Sequence, residues 1–279
     1  MKAYTSVILI SYLVFIVCML IEIATAKIKK IRLHSPKACL ASAIIFFIRT
    51  GCEYGLFLPM IIYMYQLFDI HLPQLDNKLH GFLYWFFLFI AQDFLYYWFH
   101  RTAHYVSWIW ACHGVHHSDN DYNFFTPLRE TPFVVFGGAW IFFMPLILLG
   151  FNLYHILLVI YLSLIFQFFL HTQLIHRCPT WVEFVLNTPS SHRVHHAREA
   201  QYLNKNFGGV LIIWDRLFNS FEIETAPPNY GWIIPYRSNN PFAIIFRPWI
   251  TMFQSVLKYK NLKYLIFFPD DASNSAKKN

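Results

Sequence analysis

Residues 131–175 read TPFVVFGGAWIFFMPLILLGFNLYHILLVIYLSLIFQFFLHTQLI and contain no Asp, Glu, Lys or Arg. The hydrocarbon core of a bilayer needs about 20 apolar residues per helix, so this stretch is long enough for two helices. Polar residues between positions 150 and 155 provide a break between them. Because irregular backbone cannot face lipid, the stretch predicts a membrane helical hairpin with arms at about 132–150 and 154–171.

Three more apolar segments lie towards the N-terminus, at about 5–25, 40–66 and 82–99. Over the whole chain 57% of the residues are hydrophobic and only 13% are charged, whereas soluble domains carry roughly 25% charged residues. The predicted fold class is therefore all-α, a polytopic membrane helix bundle with about four to five membrane helices. The first segment also allows a second interpretation, since Lys2, the apolar run and the Ala24-Thr25-Ala26 motif resemble a cleavable signal peptide.

The segment between the first two spans is basic, and it sets the predicted orientation. It contains five cations and no acid: Lys27, Lys29, Lys30, Arg32 and Lys37. Basic loops stay on the cytoplasmic side, so residues 93–130 and 171–279 are expected there, as a helical cap on the bundle. We expect three sections: N-terminal membrane helices with the basic loop at 1–80, a central domain at 81–236, and an interfacial segment with a polar tail at 237–279.

The remaining charges and the cysteines limit the function classes. The net charge of +7 comes without the basic stripe and interleaved aromatic residues that a nucleic-acid groove requires, so no nucleic-acid partner is expected. The five cysteines are scattered and suggest no disulfide scaffold. Arg49 and Glu53 lie one helical turn apart inside the second span, where a mutually neutralising pair is favoured over a polar path for substrate or protons.

Histidine is the most informative residue type, because ten of the 14 His lie between positions 100 and 196. They form patterned groups: His100 with His104, His113 with His116 and His117, His171 with His176, and His192 with His195 and His196. Residues i, i+3 and i+4 share a helix face, so the HxxxH pair and each HxxHH triplet are expected to aim their imidazoles one way. Their eight imidazoles exceed the positions of one metal ion and predict two ions that keep an open position. The isolated residues His34, His71, His80 and His155 are interpreted as loop or interface residues.

Ligand type alone does not identify the metal, since imidazole suits Zn, Cu, Fe and Ni. A zinc-protease HExxH site is excluded because Arg101 occupies the position of the general-base Glu. A non-haem centre of two irons that uses O2 is the productive alternative, because oxidising a lipid C–H bond needs more than side chains supply. Ligand imidazoles usually donate their second N–H to a carboxylate or carbonyl. The candidate partners are Asp93, Asp119, Asp121, Asn123, Asp215 and Glu222.

Taken together with their separations, these histidine motifs resemble the fatty acid hydroxylase/sterol desaturase superfamily of membrane di-iron oxygenases. The longer strings that share this likeness include Asp93–Arg101, Trp110–His113, His116–Ser118, Asn187–Pro189 and Gly209–Asp215. They look closest to the alkylglycerol monooxygenase branch, and the likeness covers about residues 90–236. It implies that 81–236 is a fatty acid hydroxylase-type catalytic domain in the membrane of the endoplasmic reticulum in a eukaryote, or the inner membrane in a bacterium.

The resemblance also implies a ligand set, a reaction and a substrate class. The eight pair and triplet histidines, which are also the expected catalytic residues, would bind two irons together with His171. Five residues after His171, His176 lies on another face of a regular helix and is not included. A fatty acyl, ether-lipid or sterol C–H bond would be hydroxylated or desaturated with O2. Tyr105 and Asn120 depart from the acidic residues of the alkylglycerol monooxygenase branch, and these departures weigh against an ether-lipid substrate and a pterin cofactor.

No GxGxxG fingerprint for a nicotinamide or flavin cofactor is present, so electrons are expected from outside the chain. A cytochrome b5-like carrier or a reductase is the expected partner. Two other functions stay open at the level of sequence. One is a sterol or carotenoid ring oxidase of the same superfamily, and the other is a histidine-rich membrane metal transporter or sensor.

Overall fold

The computed structural model describes residues 2–67, 81–234 and 236–269. Their regular secondary structure is helical, with isolated bridges at Leu186–Leu211 and Ala197–Tyr230 but no β-strand in the described part. The predicted all-α class is confirmed. The helices are α1 (Lys2–Ile28), α2 (Pro36–Cys52), α3 (Leu58–Leu67), α4 (Phe82–Tyr105), α5 (Ser107–His113), α6 (Ala139–Leu148), α7 (Leu153–Phe168), α8 (Thr180–Val185), α9 (Pro189–His195), α10 (Ile213–Leu217) and α11 (Pro241–Tyr259). His71, His80 and the polar tail from 270 to 279 lie outside the described residues.

Within the described ranges, three helical segments are long and apolar enough to cross a membrane: Val7–Ile28, Pro36–Tyr63 and Phe82–Tyr105. The second joins α2 to α3 through a π-helical turn at Glu53–Phe57. Only 11% of the most apolar window of the first segment is buried inside the protein, so most of its apolar side chains face outward. Lipid is the environment that suits such a surface, and the chain is an integral membrane protein.

The uncharged stretch at residues 131–175 forms a hairpin of two short helices, α6 and α7. With 10 and 16 residues and a rise of 1.5 Å per residue, they are about 15 and 24 Å long, less than the roughly 30 Å of a hydrocarbon core. The first arm starts later than the sequence predicts, because residues 134–137 form a 3-10 turn and Gly138 adopts a left-handed conformation. That these two arms cross the bilayer stays a prediction.

The hairpin supports α4, the helix whose last turns contain the first histidine pair. Tyr84 and Leu88 of α4 are buried in one cluster with Leu146, Ile156 and Val159 of the hairpin. The isolated His155 belongs to this interface, where its Nδ1 lies 2.9 Å from the Tyr84 hydroxyl. The C-terminal end of α4 is therefore held in a fixed direction relative to the rest of the bundle.

The amphipathic helix α11 joins the three sections of the chain. Its residues Ile244 and Ile245 are buried with Ala41 and Ile45 of α2 and with Val115 of the histidine segment. The predicted section boundaries at 80 and 236 stay a prediction, since this cluster contains residues from either side of both.

Candidate metal centre

Nine histidines form two adjacent groups. Five have ring nitrogens within 4.8 Å of one another, and so do the other four: the five-histidine group is His100, His104, His113, His117 and His195, and the four-histidine group is His116, His171, His192 and His196. These are the nine residues named as metal ligands from the sequence. The ring of His176 belongs to neither group, in agreement with its position on another face.

Each HxxHH triplet contributes to both groups, which differs from the expectation that its imidazoles aim one way. His113 and His117 belong to the five-histidine group, whereas His116 belongs to the other. In the second triplet His192 and His196 stay together and His195 is separated from them. Successive helical residues point about 100° apart, so neighbouring histidines diverge while the i, i+4 pairs stay on one face.

The local elements that present the two triplets are short, and the second of them is capped by a side chain. The α9 helix has only seven residues and begins after Thr188, whose hydroxyl accepts a hydrogen bond from the Ser191 N–H, with Pro189 in the first turn. The first triplet starts at the end of α5 and continues into a 3-10 turn at His116–Ser118. Because these elements are short, the direction of each ring is not tied to the axis of one long helix.

The inward nitrogens lie at distances that suit metal ligands. Within the five-histidine group, the Nε2 atom of His113 is 2.9 Å from that of His100 and 3.1 Å from that of His117. Within the four-histidine group, the Nε2 atom of His171 is 3.2 Å from that of His116 and 3.0 Å from that of His192. Neighbouring nitrogens bound to one ion at about 2.1 Å and at right angles are about 3 Å apart.

Backbone carbonyls set the tautomers of three of these rings. Each Nδ1 donates to a carbonyl oxygen: His100 to Phe207 at 2.7 Å, His171 to Gln167 at 2.9 Å, and His195 to Lys205 at 3.0 Å. A carbonyl only accepts, so Nδ1 carries the proton and Nε2 directs its lone pair inward. This is the tautomer in which Nε2 binds a metal.

The residues fit a metal ion on two further observations. Buried ring nitrogens of His104 and His195 have no hydrogen-bond partner within the described part of the chain, and leaving such a group unpaired costs about 1–3 kcal/mol. Burial lowers the pKa of His171 to about 3 and the pKa of His117 and His196 well below its usual value. Neutral imidazole is the form that ligates metals, so the cluster is suited to bind ions and not protons.

Two buried aspartates that the sequence proposed as ligand partners do not bind the histidine rings directly but bind the loop that contacts His100. Asp215 accepts hydrogen bonds from the N–H groups of Phe207 and Gly208 at 2.8 and 2.7 Å. Asp93 accepts from the N–H of Val210 at 2.9 Å and the indole N–H of Trp214 at 2.9 Å. Gly208 is required there, since a Cβ would lie 2.5 Å from the Leu211 carbonyl oxygen. The loop is thereby fixed with the Phe207 carbonyl against His100.

The other four candidates also bind elsewhere. Asp119 forms an ion pair with Arg129, Asp121 accepts from the Ser35 N–H, and Asn123 donates to the Leu33 carbonyl. The Glu222 carboxylate accepts from the N–H of Ile223. None of the six candidates contacts one of the nine rings among the described residues, whereas Glu130, which was not a candidate, does: its Oε1 lies 3.3 Å from the His116 Nδ1.

Two other buried charged residues bind the segments next to the histidines, and the sequence analysis did not predict them. Arg193, inside the second HxxHH motif, forms a two-point ion pair with Glu224 at 2.8 and 2.7 Å and donates to the carbonyl of Thr172, next to His171. Glu22 of α1 is fully buried and accepts from the Phe124 N–H at 2.9 Å and the Thr172 hydroxyl. Their signal in the sequence is a charge inside an otherwise apolar or histidine-rich segment.

Inside the second span, the favoured interpretation of Arg49 and Glu53 as a mutually neutralising pair is confirmed, since they form an ion pair at 2.7 Å. A cavity of about 340 Å³ is lined in part by Asp119. Its lining includes Arg32, Asp121 and Arg237 but no histidine, so it is separate from the metal centre.

Comparisons with known proteins agree with this geometry. Residues 85–220 match the family model described as fatty acid hydroxylase. The chain is 42% identical over 163 residues to the alkylglycerol monooxygenase of Homo sapiens, a match that covers 58% of this chain and 36% of that protein. The protein of that name from Danio rerio is 43% identical over 165 residues, with coverages of 58% and 36%.

A more distant relative is the ornithine lipid hydroxylase of Rhizobium tropici, 28% identical over 142 residues, or 50% of this chain and 41% of that protein. The chain therefore spans about a third of the length of the alkylglycerol monooxygenases that it matches. No solved structure matches it. Residues 85–220, which contain all nine histidines, match the fatty acid hydroxylase family model, and this part of the chain is similar to the alkylglycerol monooxygenases.

Proposed function

We propose that this protein is a membrane-bound non-haem di-iron oxygenase that hydroxylates or desaturates a lipid, with O2 and electrons from outside the chain. The observation that carries the proposal is the pair of buried histidine groups inside a fatty acid hydroxylase domain. The two groups of neutral imidazoles at ligand spacing provide two separate metal sites. A transporter that carries one ion at a time needs only one such site. The expected ligands are the nine histidines of the two groups.

The protein's own contribution is to hold the ions, direct the rings and exclude water. Bound iron would supply the O2-derived oxidant that no side chain provides. Phe207 packs at 5.2 Å from the His104 ring and Tyr122 at 5.2 Å from the His196 ring, measured between ring centres. These aromatic walls keep the cluster dry, which protects a reactive site from side reactions with water. Hydroxylation would consume one C–H bond, O2, two electrons and two protons, and give C–OH and water.

A lipid substrate follows from the surroundings of the site. His100 and His104 lie at the end of α4, which is long and apolar enough to cross a membrane and whose neighbouring helices expose apolar side chains, so an acyl or alkyl chain can approach from the bilayer. The names of two relatives refer to alkylglycerols and to an ornithine lipid, which share a long chain and differ in the headgroup. We therefore propose the chain of a lipid, and not its headgroup, as the common element recognised.

Electrons would come from a cytochrome b5-like carrier or a reductase. The basic segment between α1 and α2 offers a docking surface for an acidic carrier on the proposed cytoplasmic side. This orientation would place the centre on the cytoplasmic face of the endoplasmic reticulum or of a bacterial inner membrane.

Lipid profiling by mass spectrometry, in cells with and without the gene, tests the function. We expect a substrate and product pair that differs by about 16 mass units for hydroxylation or about 2 for desaturation, consistent with oxidation at a C–H bond. His195→Ala should abolish the pair, and His176→Ala, a histidine outside both groups, should retain it. Cellular metal uptake that depends on the gene, without any such pair, would contradict an oxygenase and favour a transporter.

A further inference from the structure

Glu130 is the carboxylate in direct contact with the histidine cluster. It follows the 3-10 turn at Thr126–Leu128 and places Oε1 3.3 Å from the Nδ1 atom of His116. Among the described residues, no other carboxylate contacts a ring of the nine histidines. The contact lies in the four-histidine group, since His116 belongs there with His171, His192 and His196.

The orientation of the His116 ring identifies the nitrogen that Glu130 faces. Its Nε2 atom is turned inward, 3.2 Å from the Nε2 atom of His171, so Nδ1 is the nitrogen left to carry a proton. In His100, His171 and His195 that position donates to a backbone carbonyl. The Nδ1 atom of His116 has no such well-directed bond, although the carbonyl of Arg129 lies beside the ring.

The backbone that presents Glu130 is firmly held. Arg129 donates to the Ser42 hydroxyl at 2.8 Å and the Ala38 carbonyl at 3.2 Å, and it forms an ion pair with Asp119 at 3.2 Å. Arg129 and Asp119 are both buried. These bonds fix the segment against α2. The Glu130 side chain is 34% exposed, so it can still move the few tenths of an ångström that separate its Oε1 from hydrogen-bond distance to the His116 Nδ1.

We propose that Glu130 is a positioning residue for the four-histidine group, accepting a hydrogen bond from the Nδ1–H of His116 and giving one ion a charged neighbour that the other lacks. The proposal rests on the proposed function, since it requires two bound ions. A carboxylate on the outer nitrogen fixes the ring and makes the imidazole a more basic ligand. The two groups therefore differ in ligand number and also in charge, so their ions should differ in affinity.

Glu130→Gln tests this in the purified full-length protein, since glutamine keeps the size of the side chain and removes the charge. Glu53→Gln is the matched control, because Glu53 is a nearby carboxylate that pairs with Arg49 and touches no histidine of the cluster. Both variants are loaded with ⁵⁷Fe, and the iron bound per chain is followed against a chelator and by Mössbauer spectroscopy. We expect Glu130→Gln to weaken one of the two ions by about 10–100-fold, the usual effect of losing such a partner, and to change only that ion's spectrum.

The ion in the five-histidine group also reports folding, because it should remain bound in the Gln variant. Loss of both ions together would overturn the proposal, since it would show that Glu130 supports the fold. Two ions with wild-type affinity and unchanged spectra would also overturn it and assign the orientation of His116 to the Arg129 carbonyl. A wild-type protein that binds no iron would contradict the proposed function itself, which separates the two failures.

Discussion

Helix α1 and the histidine region, defined as residues 100–130 and 171–224, solve opposite physical problems. Most of α1 faces outward, with Leu9, Leu13 and Leu20 each more than 60% exposed. In the histidine region many polar side chains are buried, and His100 and Asp215 among them have defined hydrogen-bond partners. A lipid-facing surface needs only to be apolar, whereas a buried polar cluster must satisfy each donor and acceptor. Substitutions should therefore be tolerated in the first region and costly in the second.

The largest effect is expected for His195→Ala. It removes a ring of the five-histidine group together with the bond from its Nδ1 to the Lys205 carbonyl. We expect loss of lipid oxidation and of at least one bound iron per chain, measured by product formation and by elemental analysis. His176→Ala should keep both. Full activity in the His195 variant would end the proposal that this cluster is the active site.

Asp215→Ala should follow in size, because it leaves two buried N–H groups without an acceptor. Hydrogen bonds to charged groups contribute about 1.5–3 kcal/mol each, so the loss should be about 3–5 kcal/mol, seen as a large fall in the Tm of the detergent-solubilised protein. The Phe207 carbonyl should also shift away from His100, which lowers metal retention. Asp121→Ala, a half-buried carboxylate that accepts only from Ser35 among the described residues, is the control. Equal effects of the two variants would show that burial in this region does not set the cost.

Glu22→Gln should have an intermediate effect, because it changes a buried carboxylate of α1 that contacts the histidine region at two residues. The variant keeps the size of the side chain but removes the charge that accepts from Phe124 and Thr172. We expect a loss of about 1–3 kcal/mol, again read from the Tm, together with easier proteolysis between α1 and α2. No change would indicate that α1 is held by lipid alone.

Leu13→Val should have the smallest effect, within about 0.5 kcal/mol, as is usual for a surface position. Its side chain is 63% exposed and both residues are apolar, so lipid contact is retained. Leu88→Val, in the buried cluster of α4, is the matched comparison and should cost about 0.5–1.5 kcal/mol. A Leu13 variant as unstable as the Leu88 variant would break the contrast between the two regions.

The sequence predicted which histidines lie together better than it predicted the partners of their rings. Spacing at i and i+4 is local, and the three pairs His100/His104, His113/His117 and His192/His196 each lie in one group. The partners of the outer ring nitrogens follow no common spacing, since the carbonyl that binds His171 belongs to Gln167, four residues away, whereas the carbonyl that binds His100 belongs to Phe207. All six predicted polar partners bind other groups, while the carboxylate beside His116 is Glu130. No periodicity in the chain indicates such pairings.

By itself the sequence determined that this is a helical membrane protein and which histidines can act together, because bilayer thickness and helix period act on neighbouring residues. The tertiary structure alone decided that each triplet divides between two groups, that Glu22 ties α1 to the histidine region, and that Glu130 faces only one group. These features depend on loops that bring residues 20 to 150 positions apart into contact. Their geometry is set by the simultaneous satisfaction of many buried polar groups, which only the folded chain achieves.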